Sequence, residues 1–389
     1  MIILSSLGTG AFREARYQLE GSAEIITTGY FAEAVQRWYP AANVVILATE
    51  AALASTNGQV LKERLPHAQT VDIPNAETEA EYWQIFERLA GVIPEGEEVI
   101  FDITHGLRSL PMLSFLALSY LKVVKKVVIR QVLYGALELT PRTEGAVTKA
   151  VDLTPLIRLL DWAQAANRFQ DTGDARLFKP LIREQRNASL NGVADKLESL
   201  SQALFYNRTI EAGKLAGELA QKINVARTSE VEQQHRPFLQ VLDQLEQSLK
   251  QIGFREHDDA VLSLQAQYAQ IEWYRTRGHY AQAVALAREW AVSVRSWQAT
   301  GHLSYEAAAR KGAEDWLNAA LRSPTQPPEW KPLLLLWDQL TDARNDLMHF
   351  GMRPDSARTR ADKVELKIKT VLAKLPASVA PLGLNLQGA

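Results

Sequence analysis

The chain has 389 residues, 47% of them hydrophobic and 23% charged, which excludes bulk disorder and is enough for two or three globular domains. Its 43 Lys and Arg against 45 Asp and Glu give a formal net charge of -2, so any nucleic-acid site has to be a local basic patch. It has no cysteine, which excludes disulfides, thiolate zinc sites and a cysteine nucleophile.

The N-terminal part alternates between apolar runs and amphipathic stretches. This alternation predicts a mainly parallel sheet covered by helices on both faces, an α/β domain of the Rossmann type. The predicted strands are 2–7, 44–49, 70–74, 98–104, 126–134 and 147–151, with a hairpin over 17–28 that turns at Gly21. The predicted helices are 31–38, 50–66, 77–89 and 110–122.

The remainder of the chain is predicted to be helical from 153 to about 375. Residues 269–290 resemble one helix-turn-helix unit with Gly278 as its turn, but no second copy follows at a fixed period, so a repeat solenoid is not supported. The predicted domains are therefore 1–152 and 153–376, with a helical elaboration around 175–298 and a loosely held tail over 377–389.

No signal peptide or membrane span is evident in the sequence, which predicts a cytoplasmic protein. The first residues lack the basic and apolar regions of a signal peptide. The most apolar segment, 107–128, is interrupted by four basic residues, which favours a buried helix and strand over a membrane span.

Polar and glycine-rich loops follow three of the predicted strands at the edge where ligands of parallel sheets bind. They contain Gly8, Thr9, Gly10, Thr49, Thr104, His105, Gly106, Arg108 and Ser109. Singly, the G-x-G pattern fits a plain turn as well as a ligand loop, Ser109 fits a helix cap, and Arg108 fits a surface charge. Together they favour a phosphate-bearing ligand, with Asp102 expected to orient the loop rather than touch an anion.

A second constellation, Arg344-Asn345-Asp346-Leu347-Met348-His349, lies near the end of the helical part. Residues 345 and 349 share one helical face. A guanidinium can clamp a phosphate and an imidazole can transfer protons near neutrality, which suits metal-free RNA cleavage. Eight Lys or Arg against four Asp or Glu between 344 and 374 form a local basic patch. The alternative is a solvated basic helix whose His349 binds Asp346 or a carbonyl.

These motifs resemble two known families. The hexamer is similar to the R-x4–6-H signature of HEPN ribonucleases. Residues 5–10 and 102–108 look like the ligand-binding stretches of CARF (CRISPR-associated Rossmann-fold) domains, and 152–155 with 161–162 resemble the linker of CARF–HEPN proteins in type III CRISPR systems.

This resemblance implies a homodimeric, metal-independent endoribonuclease that cuts single-stranded RNA by 2′-hydroxyl attack and leaves a cyclic phosphate. It implies no cofactor, but activation by a cyclic oligoadenylate messenger that the loop residues named above would bind in paired CARF domains. Arg344 would stabilise the phosphate, Asn345 would position either the substrate or His349, and His349 would act as acid or base. Family members often carry Asn at the position of Arg108, so the ring size, tetra- or hexa-adenylate, stays open, as do assembly above the dimer and the RNA base preference.

Three alternatives belong to other classes. The chain could be a messenger-binding regulatory protein with a non-catalytic helical domain. It could also degrade its own messenger, although no general base for this is evident in the loops. An NAD(P)-dependent oxidoreductase is disfavoured because the third glycine of the dinucleotide fingerprint is missing.

Overall fold

The computed structural model describes residues 1–106, 109–141, 143, 145–184, 188–227, 236–254, 259–352, 354 and 359–386. The chain divides into two compact units, Met1–Arg158 and Leu159–Ala389. The division falls inside one helix, Thr154–Thr172.

The first unit is built on a mixed sheet, which in the described residues has eight strands in the order β3-β2-β8-β7-β6-β1-β4-β5. The strands are β1 (Ile2–Leu7), β2 (Ala15–Leu19), β3 (Ile25–Thr28), β4 (Asn43–Ala48), β5 (Gln69–Asp72), β6 (Glu98–Asp102), β7 (Val128–Gly135) and β8 (Val147–Asp152). Five neighbouring pairs run parallel, and β2–β3 and β7–β8 run antiparallel. The predicted mainly parallel sheet and the hairpin turned at Gly21, with φ +79°, are confirmed.

The helices of this unit are α1 (Phe31–Trp38), α2 (Glu50–Ala54), α3 (Thr56–Arg64), α4 (Glu79–Val92) and α5 (Leu110–Val124), with a short 3-10 helix at Leu137–Leu139. The single helix predicted over 50–66 is wrong, because the chain is extended at Ser55. The Ser55 hydroxyl accepts a hydrogen bond from Gly58 N at 3.4 Å and starts a new helix.

The sheet separates two hydrophobic cores, as the alternation of side chains along a strand requires. On β1, Ile3 packs into the core that contains Phe31 of α1. The next residue, Leu4, packs into the core that contains Leu118 of α5. Both faces of the sheet are therefore covered, as predicted.

The second unit is helical, as predicted. Its helices are α6 (Thr154–Thr172, which carries the division), α7 (Phe178–Glu184), α8 (Ala188–Phe205), α9 (Thr209–Arg227), α10 (Arg236–Ile252), α11 (Ala260–Thr276), α12 (Tyr280–Thr300), α13 (Ala307–Arg322), α14 (Lys331–Met348), α15 (Ala361–Leu372) and α16 (Leu375–Val379), with a 3-10 helix at Ala380–Leu382. They share one core around the fully buried Trp290 and Trp337. The predicted turn between α11 and α12 is confirmed, with Gly278 at φ +73°.

The expected loose tail is wrong for residues 377–386. Val379, Leu384 and Leu386 are buried in the helical core. Gln298 Nε2 donates to Leu382 O at 2.6 Å, and Gln265 Nε2 donates to Asn385 O at 2.8 Å. The alternating leucines of this segment supply the apolar strip that holds it, and residues 387–389 lie outside the described part of the chain.

None of the helices within the described ranges combines the length and the apolar character that crossing a membrane requires.

Candidate functional site

Two of the predicted loops lie against each other at the carboxyl edge of the sheet, after β1 and β6. A Cβ added to Gly8 would lie 3.3 Å from Gly106 N. Gly106 has φ +110°, and a Cβ there would lie 2.5 Å from Ser6 Oγ. Only glycine fits position 106, because any side chain meets both an unfavourable backbone conformation and a collision.

Asp102 ties these loops together from the end of β6. It is fully buried; its Oδ2 accepts a hydrogen bond from Ser5 Oγ at 2.6 Å, and its Oδ1 accepts one from Thr104 N at 2.8 Å. Asp102 therefore orients the loop, as predicted. Thr104 Oγ1 accepts from Gly135 N at 2.8 Å, which leaves the hydroxyl proton of Thr104 free to be donated.

His105 is a half-buried part of the same support. Its ring stacks on Phe12 with centroids 4.1 Å apart, and its Nε2 accepts a hydrogen bond from Phe31 N, at the start of α1, at 3.4 Å. Burial lowers the pKa of His105 below its ordinary value, and the Asp102 carboxylate opposes this only in part. The ring is thus neutral near pH 7, with Nδ1–H as its remaining donor.

The other predicted loop residues differ in how far they are available. Thr49 is buried, and its hydroxyl caps α2 by accepting from Ala52 N at 3.2 Å. Ser109 stands at the N-cap position of α5 and Pro111 in the first turn, as predicted, but the Ser109 hydroxyl makes no capping bond. Its helical backbone, rather than the extended one a cap needs, is the reason. Thr9 and Gly10 are exposed, and Arg108 lies outside the described residues.

Sequence reasoning missed Asn57, on α3. Its Nδ2 donates to Gly8 O at 3.0 Å and to Gly10 O at 2.7 Å, so it holds the glycine loop. The polar run Ser55-Thr56-Asn57 inside the predicted helix was the available signal. A cleft of about 320 Å³ at the ends of β4 and β5 was also missed, and it is lined by residues that include Glu50, Asp72, Asn75 and Arg88.

In the helical unit, the Arg344 motif lies at the end of α14. Arg344 Nη1 donates to Asn345 Oδ1 at 3.1 Å. His349 ends the helix, its N–H donates to Asn345 O at 3.0 Å, and its exposed ring has no hydrogen-bond partner among the residues the structure describes. The alternative interpretation of the motif paired His349 with Asp346 or a carbonyl. The Asp346 carboxylate instead accepts a hydrogen bond from Thr359 N at 3.3 Å.

The surroundings of His349 are apolar as well as basic. Phe350, at φ +54°, is 87% exposed, and Met352 is similarly exposed. Part of the predicted basic patch is paired with acidic groups: Lys367 with Asp342 at 2.9 Å, Lys369 with Glu365 at 2.5 Å and Arg360 with Asp362 at 3.2 Å. Arg353 and Arg358 lie outside the described residues.

A further cleft, of about 630 Å³, lies in the helical unit, and no motif in the sequence pointed to it. Its lining includes Arg168, Asp174, Phe205, Tyr206 and Trp273. Hydrogen bonds from Arg176 lower the pKa of Asp174 to about 2, although partial burial opposes them, so this carboxylate stays charged at any ordinary pH.

Two protein-family models match stretches of the chain, one in each unit. The model of the CARF domain of CRISPR system endoribonuclease Csx1 matches residues 63–138, and the model of the second domain of CRISPR-associated protein MJ1674 matches residues 158–257. Each unit thus contains a stretch that matches a CRISPR-associated family, and in the first unit that stretch matches a CARF domain. The predicted resemblance to CARF-containing proteins of type III CRISPR systems is confirmed, and the matched stretch includes residues 102–108 but not residues 5–10. The succession of an α/β and a helical domain is also confirmed.

Two individual proteins are similar to this chain. CRISPR-associated protein MJ1674 of Methanocaldococcus jannaschii is 27% identical over 130 residues, which are 33% of this chain and 20% of the length of that relative. The solved structure of Enterococcus italicus Csm6 bound to cyclic hexa-2′-fluoro-hexa-dAMP has a TM-score of 0.42 and 12% identity, over 98% of this chain and 94% of that one. The second likeness is too low to carry an argument about either site.

Proposed function

We propose that this CARF-containing protein is an endoribonuclease switched on by a cyclic oligoadenylate. The CARF unit binds the messenger at the loops around Gly8 and Gly106, and the helical unit, as a HEPN-type domain, cuts single-stranded RNA without a metal. The observation that carries the proposal is the exposed His349 ring, without a protein partner in the described residues, beside the Arg344–Asn345 pair.

The proposed messenger site combines hydrogen-bond donors with glycines that have no side chain to block a ligand. Gly8, Gly10 and Gly106 let a ligand approach the backbone closely, and Thr9, Thr104 and Ser109 contribute hydroxyl groups. The N-terminus of α5, at Ser109, adds a positive dipole end that favours phosphate. Neutral His105 can donate through Nδ1–H to a base or phosphate oxygen. These groups fit an oligonucleotide whose phosphates lie on the loops.

The nuclease site supplies the groups that transesterification of RNA needs. A base removes the proton of the 2′-hydroxyl, the oxygen attacks phosphorus, and the 5′-oxygen leaves with a proton, giving a 2′,3′-cyclic phosphate. Arg344 neutralises the charge that builds on the phosphate oxygens, and Asn345 limits the orientations of its guanidinium. His349 carries one of the two proton transfers.

The Arg344 motif supplies one histidine per chain, which points to a homodimer because the second proton transfer then belongs to a second copy of His349. An exposed apolar surface on the CARF unit supports this partner. We name it the α4–α5 face, and it consists of Trp83, Phe86, Met112, Leu116 and Tyr120. Trp83 is 60% and Met112 is 70% exposed, and the ring of Phe86 lies 5.4 Å from that of Tyr120. Contiguous apolar patches of this kind mark protein interfaces.

The test is an RNA cleavage assay with a panel of cyclic oligoadenylates, using the intact chain. We expect cutting only when a messenger of one ring size is present, a 2′,3′-cyclic phosphate product, and no change on adding a chelator. His349→Ala should abolish cutting, whereas His302→Ala, a matched exposed histidine of the same unit, should not. Tight messenger binding without any cutting by the unaltered protein would instead assign it a regulatory function.

A further inference from the structure

Asn57 holds two carbonyl groups of the glycine loop with a single amide group. Its Nδ2 donates to Gly8 O at 3.0 Å and to Gly10 O at 2.7 Å. Asn57 lies on α3, more than 45 residues further along the chain, so the shape of this exposed loop is set by a distant side chain. Because both acceptors are carbonyls, only the NH₂ end of the amide can face the loop.

The direction of these carbonyls fixes the direction of two N–H groups. The described peptide bonds are all trans, so the N–H of a residue points opposite to the C=O of the residue before it. The N–H groups of Thr9 and Ala11 are therefore turned away from Asn57. Neither has a hydrogen-bond acceptor within the described residues, and both residues are exposed.

Residues behind Asn57 keep its amide in this orientation. The Tyr30 hydroxyl donates to Asn57 Oδ1 at 3.4 Å, which leaves Nδ2 for the loop. The Arg64 guanidinium lies 5.8 Å from the Tyr30 ring centroid and donates to Glu33 at 2.9 Å.

Glu33 is buried, and its carboxylate holds the Arg64 side chain that lies against Tyr30. Burial alone would raise its pKa, but hydrogen bonds from Thr28 and Arg64 outweigh this, with Arg37 adding a further positive charge, and the pKa is lowered. The carboxylate accepts from Thr28 Oγ1 at 2.6 Å and from Arg37 at 2.7 Å, so it is charged and fully partnered.

We propose that Asn57 is a positioning residue that presents the N–H groups of Thr9 and Ala11 to a phosphate group of the messenger. Two backbone donors on one side of a loop form an anion-binding concavity. Apart from the two neighbours of Gly10 in the chain, no atom of the described residues lies within 4 Å of the position where its Cβ would be, so in this part of the structure a ligand has room to reach them. A phosphate is the ligand group because hydrogen bonds to a charged oxygen are about twice as strong as those to a neutral base.

This proposal rests on the messenger site proposed above and is tested with labelled cyclic tetra- and hexa-adenylate. Asn57→Asp removes the donor and places a negative charge against two carbonyls, and Ala11→Pro removes one N–H directly. Each should weaken binding roughly 10- to 100-fold, the equivalent of one or two charge-assisted hydrogen bonds. The controls are Gln59→Glu, the same chemical change at an exposed site of α3, and Ala11→Ser.

The decisive readout replaces the phosphates of the messenger with uncharged methylphosphonates. The unaltered protein should lose affinity for the neutral analogue, and Asn57→Asp should lose much less, since its phosphate contact is already gone. Asn57→Asp should also need more messenger for activation but reach the same maximal cutting rate, which a general loss of folded protein would lower.

Binding measurements separate a failure of the role of Asn57 from a failure of the proposed function. If the unaltered protein binds messenger and the Asn57 and Ala11 variants bind it equally well, Asn57 has no positioning role and the proposed function stands. If the unaltered protein binds neither messenger, the proposed function fails and this inference fails with it.

Discussion

Ser5 donates a hydrogen bond of 2.6 Å to Asp102 across the two central strands β1 and β6, although 97 residues separate them in sequence. The bond joins the ends of the two strands from which the glycine loop and the His105 loop leave the sheet. The relative position of these loops is thus fixed by a carboxylate that is itself fully buried.

Replacing Asp102 should lower the free energy of unfolding, and the loss should grow with the number of hydrogen-bond donors left without an acceptor. In Asp102→Leu, Ser5 Oγ and Thr104 N both lose their acceptor, and we expect the free energy of unfolding to fall by about 2–4 kcal/mol. Asp102→Asn should cost less, because the Ser5 hydroxyl can rotate and accept from the new amide. Urea unfolding measures both, and Glu95→Leu, at an exposed position in the turn before β6, is the control. Equal midpoints for Asp102→Leu and the unaltered protein would refute the role of Asp102.

His105 should make the CARF unit less stable in mild acid. Its folded pKa lies below its ordinary value, so between that pKa and about 6.5 the unfolded chain binds more protons than the folded one. The contribution of His105 is therefore complete above about pH 6.5 and is lost as the pH falls towards the folded pKa.

His105→Gln keeps an acceptor for Phe31 N but cannot titrate. We expect its unfolding free energy to fall less between pH 7 and pH 5 than that of the unaltered protein. His67→Gln, an exposed histidine of the same unit, should follow the unaltered protein. Parallel pH profiles for His105→Gln and the unaltered protein would contradict this assignment.

Arg344 should need its planar guanidinium and not only its charge. Arg344→Lys keeps the charge but loses two-point contact with phosphate and the bond to Asn345, so we expect RNA cutting at saturating messenger to fall roughly 100-fold. Asn345→Leu should reduce it less, by freeing the guanidinium. Arg322→Lys, at the exposed end of α13, is the control, and messenger affinity should stay unchanged in every variant. A cutting rate that survives Arg344→Lys would exclude the phosphate role.

The α4–α5 face should hold two copies together. Leu116→Glu places a charge at its centre and should convert the dimer to a monomer in size-exclusion chromatography with light scattering. Leu139→Glu, a similarly exposed leucine elsewhere on the same unit, should stay dimeric. A Leu116→Glu protein that remains dimeric would require another interface.

The sequence predicted the elements well where burial alone shapes the pattern. The strands β4 and β6 contain continuous apolar runs, and the predicted ends of the strands lie within about two residues of the observed ones. Prediction from the sequence failed where a single polar contact decides where a helix begins. The Ser55 cap splits a helix that the pattern joins, and Ser109 has the residue type of a cap but not its backbone.

The candidate sites divide in the same way. The glycines, Thr104 and His105 could be named because they follow strands that must end at one edge. Asn57 could not be named, because its role depends on hydrogen bonds to Gly8 and Gly10. These residues lie 49 and 47 positions earlier in the chain, and no local pattern encodes such a contact. The packing of Leu384 and Leu386 was hidden for the same reason.

The burial of residues 375–386 bears on how the protein is made. Translation delivers this segment after every other helix it packs against, including α14, which carries Arg344. A nascent chain therefore exposes an unfinished helical core until this segment has emerged from the ribosome. A chain truncated before residue 375 would therefore keep the Arg344 motif but lose the apolar side chains that complete the core around α14.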